Sequence, residues 1–247
     1  MTESLDALVA LIEWRLFFFV LLSAVLSVLQ VASLLSFFGI LVLFMEPAAV
    51  VPIATIFFLA MNLTKMRLFR ASIDWALVRR LTVASVPGVL IGSLLLAYLP
   101  NDAVRRVVCA LVIVMLACEI LKIKLFDLDV SPRTLNGVGF GYGLMSGFLG
   151  SGSIVRTPLL LKLKLSKEAF IATAAAASLV SNVLKVGSYS ATGLLTSYVL
   201  VNGILSIVIG IIGTHIGKAL VDKIDERRFF TIVRLALLAS AFIGLFS

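Results

Sequence analysis

The chain has 247 residues, of which 61% are hydrophobic and only 14% charged, and its mean hydropathy is +1.16. Soluble domains carry close to a quarter charged residues, so this composition excludes an ordinary soluble domain. The net charge of +8 would suggest nucleic acid in a soluble chain. Here the basic residues gather between apolar runs, which is the positive-inside pattern of a membrane protein, and no nucleic-acid partner is expected.

Uncharged runs cover 16–45, 47–64, 81–101, 134–155, 169–184 and 186–217. About 20 apolar residues cross a hydrocarbon core, so the chain reads as an all-α polytopic membrane protein. Residues 1–15 form an acidic amphipathic lead-in with Glu3, Asp6 and Glu13 before Arg15. It lacks the basic n-region of a secretory signal and is expected to be retained. Residues 16–45 are punctuated by Ser23, Ser27, Gln30, Ser33 and Ser36, and are long for one span.

Glu46-Pro47 starts a fresh helix, with proline at a favoured first-turn position, running to about Asn62. A basic loop follows, with Lys65, Arg67, Arg70, Arg79 and Arg80 against Asp74. Helices are predicted over about Leu81–Leu99 and Val107–Phe126, with the turn Pro100-Asn101-Asp102 between them. Cys109 and Cys118 fall on opposite faces of the second helix, roughly 13 Å apart along its axis, too far for a disulfide. Residues 127–135 read as a cytoplasmic linker between a first transmembrane repeat, 1–126, and a second, 136–247.

The second repeat opens on Gly137–Pro158, with glycines at 137, 139, 141, 143, 147, 150 and 152 and no charge between Arg133 and Arg156. Glycine-rich backbone at membrane depth is tolerated only where it is buried in protein or lines a polar cavity. Next come a basic turn with Lys162, Lys164 and Lys167, and a helix over about Glu168–Val186 whose small residues, Ala172 to Ser178, permit close packing. An uncharged loop at Gly187–Ser197, a helix over about Tyr198–Lys218, a polar turn at Asp222–Arg228 and a last helix complete the chain.

Shifted by 120 residues, Pro47–Lys65 overlays Lys167–Lys185, pairing Asn62 with Asn182 and Lys65 with Lys185. Both residue types are rare here, so the shared Asn-x-x-Lys marks two diverged copies. The charges orient those copies. If the glycine-rich stretch crossed fully, the lysine turn at 162–167 would land opposite the basic loop 65–80, against the positive-inside rule. If it enters and returns near Gly150–Ser153, both stay cytoplasmic. The expected fold is therefore two inverted repeats, each with one broken or re-entrant glycine/serine-rich helix and about three spanning helices.

Catalytic machinery is sparse. His215 stands alone in an apolar helix, no Cys/His set has zinc spacing, and Gly150-Ser151-Gly152 has no base placed beside it. Neither an enzyme activity, a metal nor a cofactor is expected. Anion binding fits better. Unpaired N–H groups at a broken helix end attract anions, Gly150 and Gly152 allow close approach, Ser151 and Ser153 add hydroxyls, and Arg156 supplies a planar charged fork. The alternative for Arg156 is an interfacial snorkelling role. Asn62 and Asn182 serve equally well as helix braces or ligand contacts. Lys65 reads as interfacial, and Lys185 as the better lysine for drawing anions. Gln30 and Ser33 overlay Gly150 and Ser153 in the first copy and complete the candidate substrate-binding set. Phe140, Tyr142 and Phe148 are rings available near the tip.

The segment Gly147-Phe-Leu-Gly150-Ser-Gly152-Ser-Ile-Val-Arg-Thr-Pro158-Leu-Leu-Leu, with Ala172-Thr173, Asn182 and Tyr189-x-x-x-Gly193, resembles the sulfite exporter TauE/SafE family, also called the 4-toluene sulfonate uptake permease family. The first half is similar around Pro47, Ala54-Thr55 and Asn62, but has Gln30 and Ser33 where glycines would be expected. The resemblance implies a permease for small sulfur-containing anions, sulfite or organosulfonates such as toluenesulfonate and sulfoacetate, in either direction. An anion channel and a membrane enzyme are the alternatives, and homodimerisation is left open.

Overall fold

A computed structural model of the protein describes residues 20–21, 24–25, 46–104, 106–107, 110 and 131–233. The helix expected over 107–126, the cysteines, Gln30 and Ser33 lie outside the described residues or at their margins. Among the described residues every regular element is helical: α1 Pro47–Leu68, a 3-10 turn Arg70–Ser72, α2 Trp75–Tyr98, α3 Pro132–Leu149, α4 Ser153–Lys162, α5 Lys167–Ala191 and α6 Ser197–Asp222. A further helical stretch covers 226–233. Four of these, α1, α2, α5 and α6, are long and apolar enough to cross a membrane. The protein is an all-α polytopic membrane protein.

Local chemistry explains where the helices start. Pro47 occupies the first turn of α1, where its missing N–H costs nothing. Asp74, Ser131, Ser166 and Thr196 cap α2, α3, α5 and α6, each side chain accepting a backbone N–H of the first turn and so pairing a donor that the helix cannot. Asp74 also uses its own N–H, which donates to Thr173 Oγ1 at 3.1 Å and pins the start of α2 to α5. Several bounds differ from expectation. α1 continues six residues past Asn62, α2 starts six residues before Leu81, α3 begins inside the expected linker at Pro132, and α5 runs on to Ala191. In each case the helix persists until a cap or turn residue stops it, and charged side chains in its last or first turn do not.

The helix directions follow from which residues meet. Along α3, Gly139 faces Leu81 and Ala84, Gly143 faces Ser85, and Gly147 faces Val89 and Ser93. Numbers rise together, so α2 and α3 run parallel, with Gly88 and Gly92 of α2 taking the α3 backbone in return. A Cβ at Gly143 would collide with the Ser85 backbone, so glycine is what lets the two axes approach this closely. α5 is parallel to α2, since Asp74 meets Thr173 and Ser93 Oγ meets Ser188 Oγ at 2.6 Å. α6 is parallel to α1, with Gly203 on Ile56 and Gly210 on Phe57 and Met61.

α3 and α4 form a helical hairpin. Gly150 closes α3 in the left-handed region at φ +83°, a conformation that glycine alone adopts without strain. The chain then reverses, placing Gly152 on the Tyr142 carbonyl and Val155 on Gly141. Leu159 and Leu160 of α4 end up in the same apolar cluster as Leu135 of α3, Phe69 and Phe170. The turn at 162–167 therefore lies at the end of the molecule that also holds Arg67, Arg70, Arg79 and Arg80. The connection 192–196 at the opposite end carries no charge.

Two apolar clusters bracket the interior. One joins Val50–Phe57 and Met61 of α1 to Phe148, Leu149, Tyr189 and Val199. The other joins Leu135, Val138, Leu159, Leu160, Phe170 and Ile171 at the basic end. Between them, on α1, α3 and α5 alike, polar residues interrupt the apolar pattern.

Candidate functional site

The polar layer encloses a cavity that leaves ≈ 40 Å³ for the centres of water-sized atoms, enough for about three waters at roughly 10–15 Å³ each. α1 contributes Phe58, Asn62 and Lys65; α3 contributes Tyr142 and Ser146; the hairpin tip and α4 contribute Gly150, Ser151, Gly152, Ser153 and Arg156; α5 contributes Ala174, Ser178 and Asn182. On α1 and α5 these positions recur every three to four residues, so each helix turns one stripe inward. No carboxylate lines the cavity among the described residues.

Seven of the residues expected to hold an anion, Gly150, Ser151, Gly152, Ser153, Arg156, Asn62 and Asn182, thus line one cavity although they come from three parts of the chain. Asn62 and Asn182 do so because α1 and α5 cross antiparallel. Thr55 lies near Tyr189 at one level and Phe69 shares an apolar cluster with Phe170 at the other, which brings the two asparagines to a shared middle depth.

Arg156 is buried, 3% exposed, and is not an interfacial snorkelling residue. Its Nη1 donates to Ser178 Oγ at 2.8 Å, and its guanidinium carbon sits 4.5 Å from the centre of the Tyr142 ring. A cation over an aromatic face is attracted by the ring's quadrupole. The Tyr142 hydroxyl donates to the same Ser178 Oγ at 3.3 Å. Arg156 Nε and Asn182 Nδ2 are buried donors without a partner, and both belong to residues that face the cavity. A buried donor left unpaired costs roughly 1–3 kcal/mol.

At the tip, Ser151 Oγ and Ser153 Oγ lie 3.0 Å apart, and Gly152 caps α4 with no side chain. Its Cα is crowded by the Tyr142 carbonyl and ring, so the start of α4 is held flat against α3. The N–H of Ser153 donates to Ser151 Oγ at 3.4 Å, and those of Val155 and Arg156 donate to the Gly152 carbonyl.

The two lysines differ from their expected roles. Lys65, read as interfacial, is 4% exposed and lines the cavity, because α1 continues past it. Lys185 is fully buried and donates to the Gly150 carbonyl at 2.6 Å; it does not line the cavity. One turn further along α5, the Tyr189 hydroxyl donates to the Gly147 carbonyl at 2.5 Å. Lys185 and Tyr189 therefore satisfy carbonyls that the last turn of α3 leaves open. Of the rings considered, Tyr142 lines the cavity, Phe148 packs in the apolar cluster, and Phe140 is 40% exposed. His215 is exposed, its Nδ1 2.9 Å from the Ile211 carbonyl. Ser146 and Ser178 are cavity residues that sequence reading did not single out.

The sequence profile described as Sulfite exporter TauE/SafE matches residues 15–243. The chain belongs to the TauE/SafE family. No curated protein and no solved structure matches it. Membership in TauE/SafE makes the protein a multi-pass membrane transporter of the class that carries sulfur anions such as sulfite. The hairpin and its cavity are thus features of a TauE/SafE chain, lying within the matched region.

Proposed function

We propose that the protein is a secondary transporter of the cytoplasmic membrane whose anion is held in the cavity between the hairpin tip, α1 and α5. The supporting observation is the pair of orphaned donors, Arg156 Nε and Asn182 Nδ2, in a cavity that among described residues has no acid. Two buried donors with no acceptor among the described residues are what a bound oxyanion would satisfy. Ser151 and Ser153 at the hairpin tip add hydroxyl groups on the same side. Arg156 supplies positive charge, with Lys65 beside it in the cavity lining. Lys185 holds the tip in place through Gly150 and acts on the anion only through it.

Sulfite and organosulfonates share a sulfur bearing three oxygens, so the same donors serve sulfite, sulfoacetate and toluenesulfonate. Gln30 and Ser33, which overlay Gly150 and Ser153 in the sequence, are assigned to the first-copy counterpart of the site. The inverted-repeat relation is supported by the antiparallel crossing of α1 and α5, which pairs Asn62 with Asn182. By the positive-inside rule, the end carrying Lys162, Lys164 and Lys167 faces the cytoplasm.

The test is sulfite flux into proteoliposomes, paired with sulfite titration calorimetry of the detergent-purified protein. Wild type is expected to show saturable, gradient-coupled flux. Arg156→Ala should fold and insert but bind sulfite roughly 100-fold more weakly or worse, the scale for truncating one side of a buried charge pair. Unchanged binding in that variant would remove Arg156 and this cavity from the transport path.

A further inference from the structure

Arg156 reaches its place with one nitrogen already engaged. Nη1 lies on the Cδ side of the guanidinium, so its bond to Ser178 Oγ ties down that side and leaves Nε and Nη2 as the opposite edge. Nε is buried and unpartnered. Two parallel N–H groups on one edge match two oxygens of one anion, which is the bidentate geometry that makes arginine selective for oxyanions. Rotation about the last side-chain bonds would present a different edge, and two features oppose that rotation. The ring of Tyr142 lies against one face of the guanidinium, and Ser178 accepts from both Arg156 and the Tyr142 hydroxyl.

Ser178 Oγ accepts twice, so its own proton points elsewhere and the oxygen stays electron-rich toward the guanidinium. A carboxylate in its place would neutralise the cation; a hydroxyl and a ring hold it without doing so. From this we infer that Ser178 and Tyr142 are positioning residues that aim the Nε–Nη2 edge of Arg156 into the cavity and set a preference for oxyanions over single-atom anions. The inference rests on the reading of the cavity as the anion site.

The experiment titrates sulfite and, separately, chloride into the detergent-purified full-length protein, for wild type, Ser178→Ala, Ser178→Thr, Tyr142→Leu and Arg156→Gln. Ser178→Ala is expected to lose roughly 10- to 100-fold in sulfite affinity, the scale of a hydrogen bond to a charged group. Its weaker chloride affinity should change little, so the sulfite-to-chloride ratio falls. Ser178→Thr, which keeps the hydroxyl, should restore the ratio, and Tyr142→Leu should lower it. Melting temperatures without anion report any purely structural damage, which would not move the ratio. A wild-type ratio in Ser178→Ala, alongside lost sulfite binding in Arg156→Gln, overturns the positioning role and leaves the site reading standing. Wild-type sulfite binding in Arg156→Gln overturns both.

Discussion

Arg156 is buried, and no carboxylate lines its cavity among the described residues. Charged side chains inside membranes are costly and mark functional sites by default, and here the compensation is a ring, a hydroxyl and an open cavity. Asn182 makes the same point with a neutral group, since its Nδ2 is buried with nothing to donate to. Asn182→Asp should therefore be severe. It replaces a donor by a negative charge at nearly the same volume, and like charges in close contact cost several kcal/mol. Sulfite affinity measured by calorimetry is expected to fall roughly 100-fold or more, with Asn182→Ala losing less. Equal losses in the two variants would assign Asn182 a packing role. Arg156 was legible in the sequence because a lone charge interrupts a long uncharged run. Ser178 was not, because a serine in a run of alanines reads as packing until the crossing of α4 and α5 puts Arg156 against it. Lys65 was misplaced for a related reason: followed by Arg67 and Arg70 it looks like the start of a loop, yet α1 carries it inward before stopping at Leu68.

Among the elements, the α2–α3 pair carries the hairpin. Its glycines are not equivalent, and the difference is testable. Gly143 faces the Ser85 backbone with no room for a methyl group, whereas Gly137, also in α3, is exposed and has open space around it. Gly143→Ala should destabilise by about 2 kcal/mol or more through overpacking against backbone that cannot yield. Gly137→Ala should be neutral or stabilising by up to ~1 kcal/mol, from helix propensity alone. Thermal unfolding in detergent compares them, and equal melting temperatures would contradict the close parallel contact. The hairpin turn at 150–152 was legible in the sequence from the lysines at 162–167, because a full crossing before them would run against the positive-inside rule. The parallel direction of α2 and α3 was not. A glycine stripe announces a close neighbour but does not say which helix it is or which way it runs.

For the whole molecule, charge asymmetry predicts the orientation. Lys164 is exposed at the basic end, and Ser197 is exposed at the other, beside the uncharged connection 192–196. With Cys109 and Cys118 replaced by alanine, Ser197→Cys should react with a membrane-impermeant thiol reagent in intact cells, and Lys164→Cys only after permeabilisation. The reverse pattern would invert the topology. Composition and run lengths made the membrane class plain, since no soluble fold hides this much apolar surface. The middle-depth polar layer was less plain, because Asn62 and Asn182 are 120 residues apart and meet only through the antiparallel crossing of their helices.

The bonds from Lys185 and Tyr189 to the end of α3 bear on how the protein is made. The hairpin is synthesised before α5, yet the carbonyls of Gly147 and Gly150 find their donors only on α5. A nascent chain that has reached residue 166 has no means of pairing those groups in lipid, where an unpaired carbonyl is expensive. Residues 132–162 are therefore expected to reach their final packing only once α5 is in place, and a chain ending at residue 166 should show this segment as more open to protease than the full-length protein does.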